Sequence, residues 1–320
     1  MPQLKATPQN IAKAAAAIRI GEIVALPTET VYGLGADATN AAAVVKIFAA
    51  KRRPQFNPLI VHVTSIAAAK DIAEFTTAAH SLAQVFWPGP MTLVLPLKPN
   101  SRIPAITVAG LATIAMRMPS HPVARQLIDV AGCPIAAPSA NISGRVSPTT
   151  AEHVTADFGD KVAIVLDAGP APHGLESTII DATGETPAIL RYGSVTEEQI
   201  EAVAGPIKDV ALKETAKPAA PGQLTSHYAP ECAVRLDATH IEPGEALLAF
   251  GPNTPCHDGL TINLSPKGDL VEAAARLFAA LRSLDAAGPC RIAVMPIPDH
   301  GIGAAINDRL KRAAAPRNMP

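Results

Sequence analysis

The sequence predicts an α/β protein of two units, and three observations carry that reading. Apolar periodicity alternates between helical and strand-like spacing along the chain. At 320 residues the length favours two domains over one small core. Thirty-one prolines divide the chain into short elements with fixed entry angles, which excludes a long helical bundle. With 11 aromatic residues in all (one Trp, three Tyr, seven Phe), the core must be built from Ala, Val, Ile and Leu.

Taken in order, residues 10–20 read as a helix ended by Gly21, and 22–27 as a short strand. Residues 39–51 form a second helix, with Thr39 or Asn40 as its cap. An apolar strand covers 59–63. A helix over 81–87 stops at Pro88-Gly89-Pro90, and 91–97 is extended. Further strands follow at 113–118, 134–137, 162–167, 177–181 and 188–192. Thr196-Glu197-Glu198-Gln199 is a capping box opening another helix. Composition shifts after Gly205: residues 206–230 are rich in Lys and Pro with little apolar period, and read as a linker or long loop. Beyond it, a strand at 246–250, an amphipathic helix at 270–284, a strand at 291–295 and a helix at 304–313 make a small α/β unit. The expected domains are therefore 1–205, a linker over 206–230, and 231–320.

Several classes are excluded. Net charge is −1, from 27 basic and 28 acidic residues, which argues against coating nucleic acid by bulk electrostatics. Four dispersed cysteines form neither a disulfide scaffold nor a zinc finger. Arg19 and Glu22 interrupt the apolar stretch at 14–26, against a signal peptide, and no apolar run reaches membrane-span length. A cytoplasmic protein with no membrane partner is the expectation. Gly33-Leu34-Gly35 lacks the rest of a dinucleotide fingerprint, and no P-loop, H-E-x-x-H, G-x-S-x-G or kinase signature occurs.

Four segments could carry chemistry. In PTETVYGLG, 27–35, a strand runs into a turn of hydroxyl residues and paired glycines; on these residues alone an ordinary turn is the better reading. Lys51-Arg52-Arg53-Pro54 either caps a helix C-terminus or presents cations to polyphosphate; Asn57-Pro58 and a strand carrying His62 follow it. A lone strand histidine is more often core than catalyst, and both readings of His62 stay open. In TIAMRMP, alternation puts Thr113, Ala115 and Arg117 on one face. A buried arginine needs an anion, either an internal Asp or Glu or, the favoured reading, a substrate carboxylate or phosphate. Ala137 to Gly144 crowds Ser139, Asn141 and Ser143 at a strand-to-loop junction, with Ser147 beyond. Ser177-Thr178 and Arg191 complete the set.

In order, PTETVYGLG, KRRPQFNPLIVHV, FWPGPMTLVL, TIAMRMPSHP, APSANISG, ESTIID and ILRYG resemble the YrdC-like family. The segment PGQLTSHYAP (221–230) and GIGAAINDRL (301–310) resemble its long, two-domain form, the threonylcarbamoyl-AMP synthases. The resemblance covers nearly the whole chain. It implies a twisted mixed sheet with flanking helices in the first domain and a smaller, Rossmann-like second domain. It also implies synthesis of threonylcarbamoyl-adenylate and pyrophosphate from L-threonine, bicarbonate and ATP with Mg2+. Threonylcarbamoyl-transfer proteins and tRNA would then be downstream, indirect partners. By motif, Thr30, His62, Arg117, Ala137 and Ser177 would line the threonine pocket. Lys51, Arg53, Asn57, Thr113, Ser139, Asn141, Ser147, Arg191, His227 and Tyr228 would serve ATP. Carbamate attack on a phosphate needs no protein nucleophile, in keeping with the absence of a triad. The linker, with its His227-Tyr228 tip, would close over the first domain as a lid. Two alternatives from other classes are a tRNA- or double-stranded-RNA-binding module without catalysis and a nucleotide-binding regulator without turnover.

Overall fold

The computed structural model describes residues 2–209, 220–221 and 227–316. β1 (Gln3–Lys5) leads into α1 (Pro8–Arg19), which has proline in its first turn and Thr7 accepting from the Asn10 amide as its cap. β2 (Val24–Leu26) pairs antiparallel with β3 (Gly33–Asp37). Here the expected turn is corrected: it is confined to 29–31, and Gly33-Leu34-Gly35 is strand. Glycine is needed because a Cβ on Gly35 would lie 2.8 Å from Leu26 Cδ2 and 2.9 Å from Ile135 Cγ2. α2 (Ala41–Lys51) is capped by Asn40, whose side chain accepts from the Ala42 and Ala43 amides, and it ends at Arg52 in the left-handed region.

The chain continues through β4 (Ile60–His62), α3 (Ile66–Ile72), α4 (Thr77–Phe86), β5 (Met91–Pro96) and β6 (Thr113–Arg117). Then come α5 (Pro122–Ala131), β7 (Ile135–Ala136), α6 (Ala151–Phe158), β8 (Ile164–Asp167), β9 (Thr178–Asp181) and β10 (Ala188–Arg191). α7 (Glu197–Ala204) opens at the expected capping box, with Gln199 accepting from the Thr196 amide. After β11 (Lys208–Asp209) the second unit contains β12 (Ala233–Arg235), β13 (Glu245–Ala249), β14 (Thr261–Asn263), α8 (Leu270–Ala286), β15 (Arg291–Val294) and α9 (Ile302–Ala314). α4 starts earlier than its apolar period suggests because Thr76 caps it. The helices α3, α5 and α6 and the strands β1, β3, β11, β12 and β14 were not anticipated.

The large sheet is mixed, as the resemblance implied, in the order β1-β8-β2-β3-β7-β4-β6-β5-β9-β10-β11. The small sheet, β12-β15-β13-β14, is parallel throughout. One face of the large sheet turns Leu34, Val61, Leu93, Met116 and Ile180 into the main core. The opposite face carries Ile60, Val94, Ala115, Ile179 and Leu190, and there the cleft described below opens. The core around the small sheet also takes in Val31, Val146 and Leu175 from the first domain. Gly174 lies so close to α8 that a Cβ would sit 2.4 Å from the Ala275 carbonyl oxygen. Of the expected linker, residues 210–219 and 222–226 lie outside the described residues.

Candidate active site

Register builds the centre of the cleft. β4 and β6 pair so that His62 stands opposite Arg117, and β6 pairs with β5 so that Arg117 stands opposite Thr92. Three polar side chains thus form a row across adjacent strands, on the face that alternation assigns to them. Thr92 extends the row by sharing a 2.7 Å hydrogen bond with the Ser177 hydroxyl. Thr28, Thr30, Ala137 and Ser139 also line the cleft, as do Arg53, Glu176, Arg191, Pro221, His227 and Tyr228.

Arg117 is held from three directions. Nε donates to the Gly89 carbonyl (3.1 Å), Nη1 to Thr30 Oγ1 (2.8 Å) and Nη2 to Glu29 Oε1 (2.5 Å). Both charged partners are buried. The internal acid that the sequence left as the less favoured partner is therefore present, and it is Glu29, a residue not singled out beforehand. Burial opposes the charge on Glu29, but the guanidinium prevails and holds its carboxyl down at about 2. His62 is neutral: burial first, then the nearby Arg117 charge, push it down to about 3. Its Nδ1 is buried without a hydrogen-bond partner among the described residues.

The other half of the cleft is dominated by cations. Arg53 donates to the Asn57 side chain (2.7 Å) and the Pro58 carbonyl (2.9 Å). Arg191 donates to the Ser177 carbonyl and hydroxyl and to the Pro221 carbonyl. Burial, then the charge of Arg191, push Arg53 down to about 9. Burial also lowers Lys51 and His227, and Arg53 depresses each of them further. Two buried guanidiniums, Arg53 and Arg191, therefore stand in the wall of the cleft close enough for the charge of one to depress the other.

Of the residues expected at the site, Thr30, His62, Arg117, Ala137 and Ser177 all line the cleft, as do Arg53, Ser139, Arg191, His227 and Tyr228. Lys51, Asn57, Asn141, Ser147 and Thr113 do not. Lys51 Nζ turns to the carbonyls of Ser139 and Asn141, Asn57 supports Arg53, and Ser147 donates to Glu176. These residues, with Asn141, stand one layer behind the lining. Thr113 lies at the other end of β6, about 13 Å along the strand from Arg117. Besides Glu29, sequence reasoning missed Arg309 of α9, which donates to Glu176 at 3.0 Å. Its only sequence signal was its place within GIGAAINDRL.

Comparisons with known proteins identify the family over both parts of the chain. The Sua5/YciO/YrdC family model, described as "Telomere recombination", matches residues 16–193. A second, described as "Threonylcarbamoyl-AMP synthase, C-terminal domain", matches 195–315. The chain is 42% identical to the threonylcarbamoyl-AMP synthase of Bacillus subtilis, over 98% of this chain and 96% of that protein. It is 42% identical to the synthase of Pyrococcus abyssi, over 95% and 94%. The crystal structure of P. abyssi Sua5 complexed with L-threonine superposes with a TM-score of 0.90 at 38% identity, covering 98% of this chain and 96% of that one. A mixed sheet that aligns His62, Arg117 and Thr92, joined to a smaller parallel sheet and matched over both parts, places the chain in the Sua5/YciO/YrdC family in its two-domain form.

Proposed function

We propose that the protein is a nucleotidyltransferase that joins L-threonine, bicarbonate and ATP into threonylcarbamoyl-adenylate, releasing pyrophosphate, in the supply of modified tRNA. The observation that carries this reading is the division of charge in one cleft. On the Arg117 side the guanidinium is balanced by Glu29, and His62, Thr30 and Ser177 are neutral. That half suits a zwitterionic amino acid. Arg53 and Arg191 also face the cleft, with no ion-pair partner among the described residues, and Glu176 beside Arg191 is already bound by Ser147 and Arg309, which leaves positive charge suited to a triphosphate.

Atoms balance without a protein nucleophile. The threonine amine adds to the bicarbonate carbon, water leaves, and a carbamate oxygen attacks the α-phosphorus as pyrophosphate departs. The chain orients the reactants, neutralises phosphate charge and limits access of water to a labile carbamate. Among the described residues no three His, Cys, Asp or Glu side chains converge as a metal site. Both oxygens of Glu176, the carboxylate on the cation-rich side, are already engaged, by Ser147 and by Arg309. Magnesium would therefore arrive on the triphosphate and supply further charge neutralisation there. Tyr228 lines the cleft with its hydroxyl buried and unpartnered among the described residues, which supports a closing role for the linker tip.

The test is pyrophosphate release by the full chain with each substrate omitted in turn. Release only when threonine, bicarbonate and ATP are all present is expected. ATP binding without release would favour a regulator, and RNA binding without either would favour the non-catalytic module.

A further inference from the structure

Helix α9, in the second unit, touches residues that line the cleft. Arg309 is fully buried, with 0% of its surface exposed. Its Nε donates to Glu176 Oε2 at 3.0 Å, and Nη1 donates to Asp308 Oδ2 at 2.8 Å. The other oxygen of Glu176 accepts from the Ser147 hydroxyl at 2.5 Å. The guanidinium also lies over the Tyr228 ring, 5.2 Å from its centroid, and Phe278 of α8 stacks on Tyr228 at 5.5 Å. One turn later on α9, the Arg312 carbonyl accepts from the His227 amide. Tyr228 is held at φ 61°, a left-handed conformation that a bulky residue keeps only where its surroundings enforce it.

We infer that Arg309 is a positioning residue of the nucleotide half of the cleft: it fixes Glu176 and the Tyr228 ring, so that the second unit sets ATP affinity. This rests on the function proposed above. Glu176 and Tyr228 line the cleft, whereas Arg309 does not, so its effect passes through them. A buried guanidinium bridging two lining residues is costly to assemble unless its geometry is used. Its Nη2 is buried without a partner among the described residues.

A binding cycle on the full-length protein tests the inference, using Arg309→Met, Arg309→Lys, Glu176→Gln and the Arg309→Met/Glu176→Gln double variant. Calorimetry reads ATP and threonine separately. Arg309→Met should weaken ATP at least about tenfold, the effect of losing one charge-assisted contact. Threonine should lose less than ATP does, because the row of His62, Arg117 and Thr92 at the centre of its half of the cleft is built within the first sheet. In the Glu176→Gln background the further effect of Arg309→Met on ATP should shrink to under about threefold, because the two act as a unit. Arg309→Lys, which keeps charge without the planar fork, should fall between wild type and Arg309→Met; it carries the test if the methionine variant fails to fold. Unchanged ATP affinity, equal loss of both ligands, or full additivity with Glu176→Gln would overturn the inference while leaving the proposed function standing. A wild-type protein that binds no ATP would overturn both.

Discussion

A guanidinium inside a sheet is tolerated only when each polar edge finds a partner, and Arg117 shows how closely that constrains the site. Its three contacts, to Gly89, Thr30 and Glu29, fix the plane of the fork. Lysine at this position would keep the charge but could not reach all three in one geometry. Arg117→Lys should therefore weaken threonine by about 10- to 100-fold, the scale of one charged hydrogen bond, while ATP affinity changes little. Equal losses in calorimetry would contradict this. Beside it, His62 makes a statement about pH. Its folded-state value of about 3 lies below the ordinary 6.5, so between those values the unfolded chain binds a proton that the folded one refuses. Stability should then fall with acidification across that window, by about 1.4 kcal/mol per pH unit from His62 alone. Glu29 adds a separate loss only lower down, between its ordinary 4.5 and about 2. His62→Gln should lower, without abolishing, the slope of the urea midpoint against pH above about 4.5, since His153, pushed down to about 4 by burial and then Arg282, acts in the same window; an unchanged slope would remove His62 from the account.

At the scale of elements, what the sequence revealed and what it hid have physical reasons. Period-two alternation placed His62 opposite in direction to Val61 and Val63, and Arg117 on the face of Ala115, as the register of β4 and β6 has it. Alternation carries no information about which acid meets Arg117, since Glu29 comes from a bend 88 residues away in the chain. β3 was hidden because its glycines read as turn formers, although close packing between β2 and β7 is what requires one of them. α5 was hidden because its cap is His121, whose ring nitrogen accepts from the Val123 amide, outside the usual Ser, Thr, Asp or Asn signal. Gly35 and Gly174, two of the tightly packed glycines, also differ in kind. Gly35 is crowded by side-chain methyl groups that can move, whereas Gly174, at φ 68°, is crowded by the backbone of α8. Gly174→Ala should cost more than Gly35→Ala, by at least about 1 kcal/mol, since it adds left-handed strain to a contact with atoms that cannot yield. Melting curves of the two variants decide this, and the reverse order would mean that the seam against α8 is soft.

For the whole molecule, the two units share more than a tether. Val31, one residue from Thr30, Val146, beside Ser147, and Leu175, beside Glu176, all pack into the core of the second unit. Arg282 of α8 crosses the same seam, pairing with Asp157 at 2.6 Å and donating to the Val146 carbonyl. Each of these contacts backs a segment that lines or supports the cleft, whereas the row of His62, Arg117 and Thr92 is built wholly within the first sheet. Truncation after Gly205 should therefore separate the two halves of the site. The fragment should fold, because its main core is complete without the second unit. It should keep threonine binding within a few-fold and lose most ATP binding and pyrophosphate release, since the arginine, tyrosine and apolar contacts that order the nucleotide half are gone. His227→Ala with Tyr228→Phe in the full chain should reproduce part of that loss while the protein stays folded. Circular dichroism establishes that the fragment folds, and pyrophosphate release at saturating substrates measures the rest. Full activity in the fragment would make the linker a passive connector and confine the second unit to work elsewhere.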